Sequence, residues 1–395
     1  MVYYYPIVLV KVTDLQAYLL SAPLAEPFRT RIAIGEWVCY KQDCLVVRTH
    51  TDQGLSGYAA GPASANLAQL INRNLKSAVV NIDPVKIDAL RKKVFGRRPQ
   101  FPGLAQAFGL VETALIDLQG RIEGRAASGL LGTPLRRQLP LLARSLMYLD
   151  SSHSVQEAVA MSEQGFGAYR FRLGLGWAGD SETLCRLRQA LPEACRVVAD
   201  AQAWWQMGRD GYSEAESEAW VSRLPGHGPL WLAEPFHPDD LQARQRLVSA
   251  KTVPVASGEH ETSAERLQAL GESGVDVLQV NVMQLGGLFS SRACLQSLVE
   301  RGRRFVLTGA ATPLEVVALA HLASGFSDES CLGIDWPCCS SDARFSPLAA
   351  ELLKQPLPIE RGSLKLPDGP GFGVEVSEAV LHRFPWKSGA ASGVL

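Results

Sequence analysis

The stretch VPVASGEHETSAERLQALGESGVDVLQVN, residues 253–281, contains one complete strand–helix–strand unit. A short apolar strand at Val253–Ala256 is followed by an amphipathic helix at Ser263–Glu272 and by a second apolar strand at Val275–Val280. Short strands that alternate with helices in this way are typical of an α/β protein with a parallel sheet. The unit therefore predicts that strand ends on one side of a sheet lie close together.

The same kind of unit recurs regularly from about Leu139 onwards. Eight such units in succession indicate a closed, TIM-like (β/α)7β or (β/α)8 barrel rather than an open sheet. We assign residues 139–344 to this barrel. Its strands are predicted at Leu141–Leu146, Ala168–Leu173, Arg196–Ala199, Pro229–Ala233, Val253–Ala256, Val275–Val280, Arg304–Leu307 and Cys331–Ile334.

The first third of the chain, residues 1–138, has a different pattern. A β-branched run at Cys44–Thr49 and a turn at 52–54 predict a small sheet. Helical spacing of apolar residues then predicts helices at Leu67–Asn81, Pro84–Phe95 and Leu104–Glu123. This part is therefore expected to form an α+β domain beside the barrel.

Composition excludes several classes of partner. The 39 Lys and Arg residues nearly balance the 40 Asp and Glu residues. The sequence has no basic stripe interleaved with aromatic residues, so nucleic-acid binding is not predicted. No apolar stretch is long enough to span a bilayer, and Met1–Val10 is interpreted as a strand rather than a signal peptide. We expect a cytoplasmic protein whose partner is a small carboxylate, with neither nucleic acid nor membrane as a partner.

Acidic residues follow three successive barrel strands. They are Asp200, Glu234 and Glu259 after the third, fourth and fifth strands. Because the active site of such a barrel lies at the carboxyl ends of its strands, these carboxylates are expected to converge. Converging carboxylates repel one another unless a cation lies between them, and Mg²⁺ prefers oxygen ligands of this kind. One such acid alone would more simply cap a helix, but three favour a metal site.

Two arginines lie on the second strand. Arg170 and Arg172 are two residues apart and therefore point to the same face. They are candidates to clamp the carboxylate of a substrate through paired hydrogen bonds. An equally good interpretation is that they form structural ion pairs with the acids themselves.

Several motifs, in order along the chain, resemble the enolase superfamily, of the mandelate racemase and muconate lactonizing enzyme type. The fifth-strand motif is closest to that of the acid-sugar dehydratases in this superfamily. The motifs are Val111-Glu112 to Gly120, Gly258-Glu259-His260-Glu261, Leu285-Gly286-Gly287, and Leu366 to Gly373. The resemblance implies an N-terminal capping domain to which a C-terminal segment, residues 345–395, returns. It also implies Mg²⁺ as cofactor and a homo-oligomer.

The resemblance further implies roles for particular residues, and the chain departs from the pattern at several of them. Asp200 and Glu259 match the first and third metal ligands, whereas Ala233 stands at the second, with Glu234 beside it. Arg172 stands where the family has a basic lysine, and it is a poor proton acceptor. Asn281 replaces an aspartate on the sixth strand, and no histidine follows on the seventh.

His260 is the leading candidate for proton transfer, because a histidine titrates near neutral pH. A loop histidine without a catalytic role is an equally good interpretation, and His237 is a weaker candidate. Asp335, at the end of the eighth strand, is predicted to contact substrate. The family's mobile cap loop would place Arg29, Arg31 and Tyr58 over the barrel mouth.

The predicted function is a Mg²⁺-dependent lyase that dehydrates a polyhydroxy (sugar) acid to a 2-keto-3-deoxy acid through an enediolate. Two alternatives stay open. One is a racemase, epimerase or cycloisomerase on the same scaffold. The other is a non-catalytic or metal-free descendant that binds an anion.

Overall fold

The computed structural model describes residues 10–96, 103–341, 344 and 346–395. The predicted N-terminal strand, Met1–Val10, lies almost wholly outside these ranges. No helix in the described part of the chain is both long and apolar enough to cross a membrane.

The N-terminal part contains an antiparallel sheet. Strands β1 and β2 form a long hairpin, and β3 continues the sheet on the other edge of β2. The register of the hairpin shifts between Pro23 and Phe28, because an irregular segment interrupts β1 there. The strands are β1 Val12–Ile32, β2 Gly35–Thr51 and β3 Ser56–Gly61.

Helices follow this sheet and cover it. The predicted helix at Leu67–Asn81 consists of two α-helical pieces joined by a π-helical turn at Leu70–Leu75. The longest helix, α4, is buried over most of its length and packs against β2 and β3. The α-helices are α1 Ala65–Gln69, α2 Lys76–Val79, α3 Ile87–Phe95, α4 Leu104–Glu123 and α5 Ser128–Leu131.

The second part is a closed barrel of eight parallel strands. Neighbouring strands pair in chain order, and β11 pairs with β4 to close the ring. All eight predicted strands are present, and the predicted TIM-like fold with a capping domain is confirmed. The strands are β4 Gln138–Arg144, β5 Ala168–Arg172, β6 Arg196–Asp200, β7 Leu232–Ala233, β8 Val255–Ser257, β9 Val277–Asn281, β10 Phe305–Thr308 and β11 Cys331–Pro337.

Four barrel strands, the fourth to the seventh, begin later than the sequence predicts, and a proline accounts for two of these differences. The fourth starts at Leu232 rather than Pro229, and the fifth at Val255 rather than Val253. Proline has no backbone N–H to donate to a neighbouring strand, and Pro229 and Pro254 lie in these two segments. The paired region therefore begins beyond each proline.

Side-chain caps fix where several barrel helices begin. Ser213 and Glu216 form a reciprocal capping box, and Asp150, Ser263 and Thr312 each accept from a backbone N–H of the first turn. Such caps satisfy backbone donors that the helix itself leaves unpaired. The helices are α6 Ser151–Glu163, α7 Trp177–Ala190, α8 Ala203–Gln206, α9 Glu214–Arg223, α10 Leu241–Ala250, α11 Ala264–Glu272, α12 Leu288–Glu300 and α13 Pro313–Ala323, with 3₁₀ turns at Leu224–His227 and Cys338–Ser341.

The C-terminal segment connects both parts of the molecule. Strand β13 pairs with β4 of the barrel, whereas β14 pairs with β2 of the N-terminal sheet. The elements are α14 Pro347–Glu351, β12 Ile359–Glu360, β13 Ser363–Lys365, α15 Glu378–Arg383 and β14 Ser392–Val394.

Two acidic residues of α4 hold the parts together. Glu112 accepts from the backbone N–H of Phe289 at the start of α12 and forms an ion pair with Arg91. Asp117 accepts from the backbone N–H groups of Tyr58 and Phe372, and so joins β3 to the C-terminal segment. The acidic motif of α4 therefore positions the domains relative to the barrel mouth.

Candidate active site at the mouth of the barrel

Three carboxylates from different parts of the barrel converge on one arginine. Asp200 ends β6, Glu259 lies two residues beyond β8, and Asp335 lies within β11. Arg170 of β5 faces the same interior, where its side chain is only 4% exposed. The carboxyl-terminal ends of the strands therefore bring together four of the residues that the sequence singles out.

The guanidinium of Arg170 contacts all three carboxylates. Its Nη2 lies 2.8 Å from Oε2 of Glu259 and 3.0 Å from Oδ2 of Asp200. Its Nη1 donates to Oδ2 of Asp335 at 2.8 Å, and its Nε donates to Asp200 at 3.1 Å. Of the two interpretations that the sequence left open for Arg170, the ion pair is the one that the structure shows.

Three further residues complete this cluster, and the sequence analysis did not single them out for the site. Thr308 donates to Asp335 at 2.8 Å. The amide of Gln279 lies against Arg170, and once it is rotated so that its oxygen faces the guanidinium, that oxygen accepts from Nη1 at 3.0 Å. Arg144 forms a second ion pair with Asp335, with Nε 3.1 Å from Oδ2. Arg144 ends β4, so an inspection of the end of the first strand for charged residues would have found it.

Opposing electrostatic effects set the state of the carboxyls. Burial works to raise the pKa of Glu259, but Arg170 and Arg144 outweigh it and lower the pKa to about 2. Burial dominates at Asp335 and raises the pKa of that carboxyl despite the two arginines. For Arg170, burial works to lower the pKa, but the carboxylates around it raise the pKa well above its usual value.

Glu234 reaches the interior through an unusual backbone conformation. Its φ is 48°, in the left-handed region that non-glycine residues rarely adopt, and its side chain is buried. One carboxyl oxygen accepts from the backbone N–H of Glu259 at 2.8 Å, and the other accepts from Ser257 at 3.2 Å. Burial and the neighbouring Glu259 raise the pKa of Glu234 to about 8.

This donor set does not fit a Mg²⁺ site. Asp200 and Glu259 are already engaged by Arg170, and both oxygens of Glu234 accept hydrogen bonds from the protein. Ala233, at the position of the second ligand, belongs to the apolar cluster inside the barrel and supplies no oxygen. In the described ranges, no group of three or more His, Cys, Asp or Glu residues is arranged to hold a metal ion. Two of the three acids predicted as ligands, Asp200 and Glu259, instead contact the guanidinium of Arg170.

Arg172 differs from Arg170 in its surroundings. It is only half-buried, and its guanidinium stacks on the ring of Tyr148 at 4.8 Å. Nη1 donates to the carbonyl of Leu146 at 3.2 Å. Among the residues that the structure describes, no acceptor takes the other N–H groups of the fork, so these can bind a ligand. Arg172 is therefore the arginine that is placed to bind an anion at the mouth.

The β1–β2 hairpin packs over this end of the barrel. Trp37 contacts Tyr148 edge to face at 5.6 Å, and the backbone N–H of Ala33 donates to the carbonyl of Gly174 at 2.8 Å. Arg29 and Arg31 lie exposed on β1, and Arg29 pairs with Glu36 at 2.6 Å. Their role in substrate binding remains a prediction.

Two residues predicted to contact substrate have other partners. The hydroxyl of Tyr58 donates to Glu378 of the C-terminal segment, so this tyrosine lies within the cap and not over the mouth. Asp335 is 2% exposed, and its carboxyl is occupied by Arg170, Arg144 and Thr308. Glu378 lies 320 positions from Tyr58 in the sequence, so the local pattern around Tyr58 could not predict this contact.

His260 lies beside the cluster in a fixed orientation. Its Nε2 is 2.7 Å from the amide nitrogen of Gln202, and its ring packs edge to face on Trp205 at 5.4 Å. His237 packs on the same Trp205 at 5.2 Å, but its side chain is 56% exposed and lies 3.7 Å from Asp239. His260 is therefore the better placed of the two candidates for proton transfer.

Asn281 ends β9 next to this mouth. Its Oδ1 accepts from the backbone N–H of Met283 at 3.2 Å, which fixes the amide plane. A Cβ at Gly309 would lie 2.5 Å from its Nδ2, so only glycine leaves room for this amide after β10. The amide is a donor and not a base, in contrast to the aspartate that the resemblance implies.

A cavity of about 490 Å³ lies beside the barrel mouth rather than within it. It is bordered by residues of α8, α9 and α10, and Trp205 and His237 lie on its wall. Because the guanidinium–carboxylate cluster does not line this cavity, we place the candidate active site at the strand ends and not there.

Comparisons with known proteins agree with this fold. Residues 153–380 match the family described as Enolase C-terminal domain-like. This chain belongs to the enolase superfamily, of the mandelate racemase and muconate lactonizing enzyme type. A crystal structure of muconate lactonizing enzyme from Pseudomonas fluorescens, complexed with muconolactone, superposes with a TM-score of 0.80 at 18% identity, covering 95% of this chain and 99% of that one.

The curated relatives catalyse different reactions. The D-galactarolactone cycloisomerase of Agrobacterium fabrum is 26% identical, over 95% of this chain and 98% of its own length. The arabinonate dehydratase of Saccharolobus solfataricus is 23% identical, over 95% of this chain and 100% of its own length. A racemase and an epimerase also match along nearly the whole chain. Membership of the superfamily therefore does not by itself define the reaction.

Proposed function

We propose that this protein is a lyase that removes water from a polyhydroxy (sugar) acid and yields a 2-keto-3-deoxy acid. The observation that carries the proposal is the position of His260, held by Gln202 and Trp205 beside Glu259. His260 is a single titratable group, and it lies on one side of the mouth. Dehydration can proceed with a single such group, whereas racemisation through two bases needs one on each face of the reacting carbon.

Arg172 would bind the carboxylate of the substrate. Its fork is half-buried, stacked on Tyr148 and only partly used by the carbonyl of Leu146. A planar guanidinium pairs with a carboxylate through two parallel hydrogen bonds. This contact places the carbon next to the carboxylate in the mouth, and the positive charge stabilises the enediolate that forms when that carbon loses its proton.

The proton balance of the reaction needs only His260. Nε2 of His260 gives up its hydrogen bond from Gln202 and takes the proton from the carbon next to the carboxylate, and the electron pair of that C–H bond moves into the enediolate. The C–O bond at the following carbon then breaks, and His260 returns the proton to the departing hydroxyl as water. The remaining enol becomes a 2-keto acid, so no oxidant or reductant is required.

A cycloisomerase is the second candidate, since the D-galactarolactone cycloisomerase matches this chain over nearly its full length. In that case the substrate would be a lactone or would become one, and no water would be released. Loss of a 3-oxygen substituent from a lactone uses the same first proton transfer. The two candidates therefore differ in substrate and not in the role of His260.

The test is a screen of aldonic and aldaric acids and their lactones for 2-keto acid release, with and without Mg²⁺. A carbonyl reagent detects the product. We expect His260→Gln to lower kcat by about 10²- to 10⁴-fold, which is the usual contribution of a general acid–base group. His237→Gln is the matched control, because His237 packs on the same Trp205 and should leave kcat unchanged. If a substrate changes only in optical rotation and releases no 2-keto acid, the protein is a racemase and not a lyase.

A further inference from the structure

The cation at the centre of this site belongs to the protein. Five barrel strands or their ends supply groups around the guanidinium of Arg170, and each of its nitrogens has an acceptor. The acceptors are Asp200, Glu259, Asp335, Thr308 and Gln279. A guanidinium carries five N–H groups in a rigid plane. Acceptor oxygens lie around that plane and bond to all three of its nitrogens.

These contacts leave little for a divalent ion to bind. Mg²⁺ requires a nearly ideal octahedron of oxygens and gives up its water reluctantly. Asp200, Glu259 and Asp335 are each within 3.0 Å of a guanidinium nitrogen of Arg170. Both oxygens of Glu234 accept hydrogen bonds from the protein, and Ala233 supplies no ligand. A metal ion could enter only if Arg170, whose side chain is 4% exposed, left its partners and became an unpaired buried charge.

The positive charges around the cluster also disfavour a metal ion. Arg144 also pairs with Asp335, at the same carboxylate oxygen that Arg170 and Thr308 contact, so that carboxylate is shared by two arginines. A doubly charged ion placed among Arg170, Arg144 and the half-buried Arg172 would meet three fixed positive charges in a medium of low dielectric constant. The position of Arg170 is therefore incompatible with simultaneous occupation by a metal.

We propose that the guanidinium of Arg170 permanently replaces a divalent metal ion in this site, so that the protein neither binds nor needs Mg²⁺. The ion pairs with Asp200, Glu259 and Asp335 hold the strand ends in place, as a metal would. Unlike a metal, Arg170 cannot be removed by a chelator and stays charged at every accessible pH. This inference rests on the geometry of the cluster and stands whether or not the proposed dehydration is correct.

The two arginines of β5 therefore have different roles in catalysis. Arg170 has no free donor for a substrate, because its nitrogens are occupied by the protein. Arg172, two residues later on the same face, retains donors at the mouth. Arg170 is thus a positioning residue, whereas the charge that meets the substrate comes from Arg172.

Metal titration tests the replacement without any substrate. Protein treated with EDTA and then dialysed is titrated with Mg²⁺ and with Mn²⁺ in a calorimeter, and its thermal unfolding is followed with and without each ion. We expect no saturable heat and no shift in Tm for the wild type, since only a ligand that binds the folded state raises Tm. Saturable binding that Asp200→Asn and Glu259→Gln both abolish would overturn the proposal.

The variant Arg170→Met distinguishes replacement from simple loss of a site. Methionine keeps an unbranched side chain but leaves Asp200 and Glu259 without their cation, and Asp335 with Arg144 alone. We expect this variant to have a lower Tm that Mg²⁺ or Mn²⁺ partly restores, whereas the control Arg172→Met shows no response to either ion. If Arg170→Met does not fold, Arg170→Lys is used, because one ammonium cannot reach all three carboxylates. A folded Arg170 variant that gains no affinity for either ion would show that the guanidinium does not stand in for a metal.

Discussion

Arg170 and Asp335 form a buried ion pair, with 2.8 Å between Nη1 and Oδ2, that joins two strands which are not neighbours in the barrel sheet. The same oxygen of Asp335 also lies 3.1 Å from Nε of Arg144 on the strand between them. One carboxylate is therefore shared by two arginines inside the barrel. Such a group has a large effect on stability when it is removed, even where the intact pair contributes little.

The neutral substitution Asp335→Asn is expected to destabilise the protein by about 3–5 kcal/mol, because it leaves the buried Arg170 and the partly buried Arg144 with one acid fewer. The measurement is the free energy of unfolding in urea. Glu272→Gln is the control, since Glu272 pairs with Arg301 and both side chains are exposed, by 67% and 52%. An exposed pair of that kind contributes less than about 1 kcal/mol. Equal losses in the two variants would contradict a buried, shared carboxylate.

Much of this cluster could be predicted from the sequence, because parallel strands bring their carboxyl ends to one side. That rule placed Asp200, Glu259 and Arg170 together without any structure. It could not decide what the arginine does, since a clamp and an ion pair need the same residue at the same position. The length of the Arg170 side chain and its burial decide between them, and both depend on the packing of the whole barrel.

Other parts of the site depend on contacts that no local pattern contains. Glu234 lies beside the expected ligand position, and only its left-handed backbone, with φ of 48°, turns the carboxyl inward. Tyr58 was expected over the mouth, but Glu378 near the C-terminus accepts from its hydroxyl. The left-handed backbone of Glu234 and the contact between Tyr58 and Glu378, which are more than three hundred positions apart, both depend on tertiary packing.

The contact between the cap and the barrel mouth depends on Trp37. Its ring packs on Tyr148, on which Arg172 also stacks, and the nearby turn is fixed by the hydrogen bond from Ala33 to Gly174. An aromatic pair of this kind contributes about 0.5–1.5 kcal/mol beyond its buried area. We therefore expect Trp37→Leu to speed amide hydrogen exchange in residues 30–36 by up to about tenfold, since 1.4 kcal/mol corresponds to a factor of ten.

Tyr40→Leu is the control for this exchange experiment. Tyr40 lies on the same strand, but it is 37% exposed and faces away from the contact with Tyr148. Its replacement should leave exchange in residues 30–36 unchanged. If both variants exchange at the wild-type rate, then Trp37 does not hold the hairpin on the barrel.

The junction between α4 and the loop before α12 requires glycine at position 287. Gly287 has a φ of 112°, and a Cβ there would lie 2.1 Å from Oε2 of Glu112. Gly302 also has a positive φ, 72°, but a Cβ there would meet nothing within 4 Å. We expect Gly302→Ala to cost about 1–2 kcal/mol from backbone strain alone, and Gly287→Ala to cost at least about 3 kcal/mol because a steric clash is added.

Urea unfolding of both glycine variants measures the difference. The double variant Gly287→Ala with Glu112→Ala separates the clash from the strain, because removal of the Glu112 carboxyl makes room for the new methyl group. The cost of Gly287→Ala should be smaller in the absence of the Glu112 carboxyl than in its presence. A cost for Gly287→Ala that is the same with and without Glu112 would show that the two residues are not in contact.

The histidine of α13 provides a pH-dependent link between the barrel and the C-terminal segment. His321 is buried, its Nδ1 accepts from the backbone N–H of Ser128, and its Nε2 bonds to the carbonyl of Phe372. Burial lowers the pKa of His321 to about 4. A second proton would have to go on Nδ1, where it would face another donor, so the folded protein holds the ring neutral.

Because the folded-state pKa lies below the ordinary value of 6.5, the unfolded chain binds more protons between the two values, and stability rises with pH in that window. The contribution is fully present above about pH 6.5 and is lost as pH falls towards 4, a change of about 3 kcal/mol. We expect the difference in free energy of unfolding between wild type and His321→Gln to grow by that amount from pH 4 to pH 7. It should stay constant at higher pH. A difference that is the same at pH 4 and pH 7 would mean that His321 is not held neutral by its burial between Ser128 and Phe372.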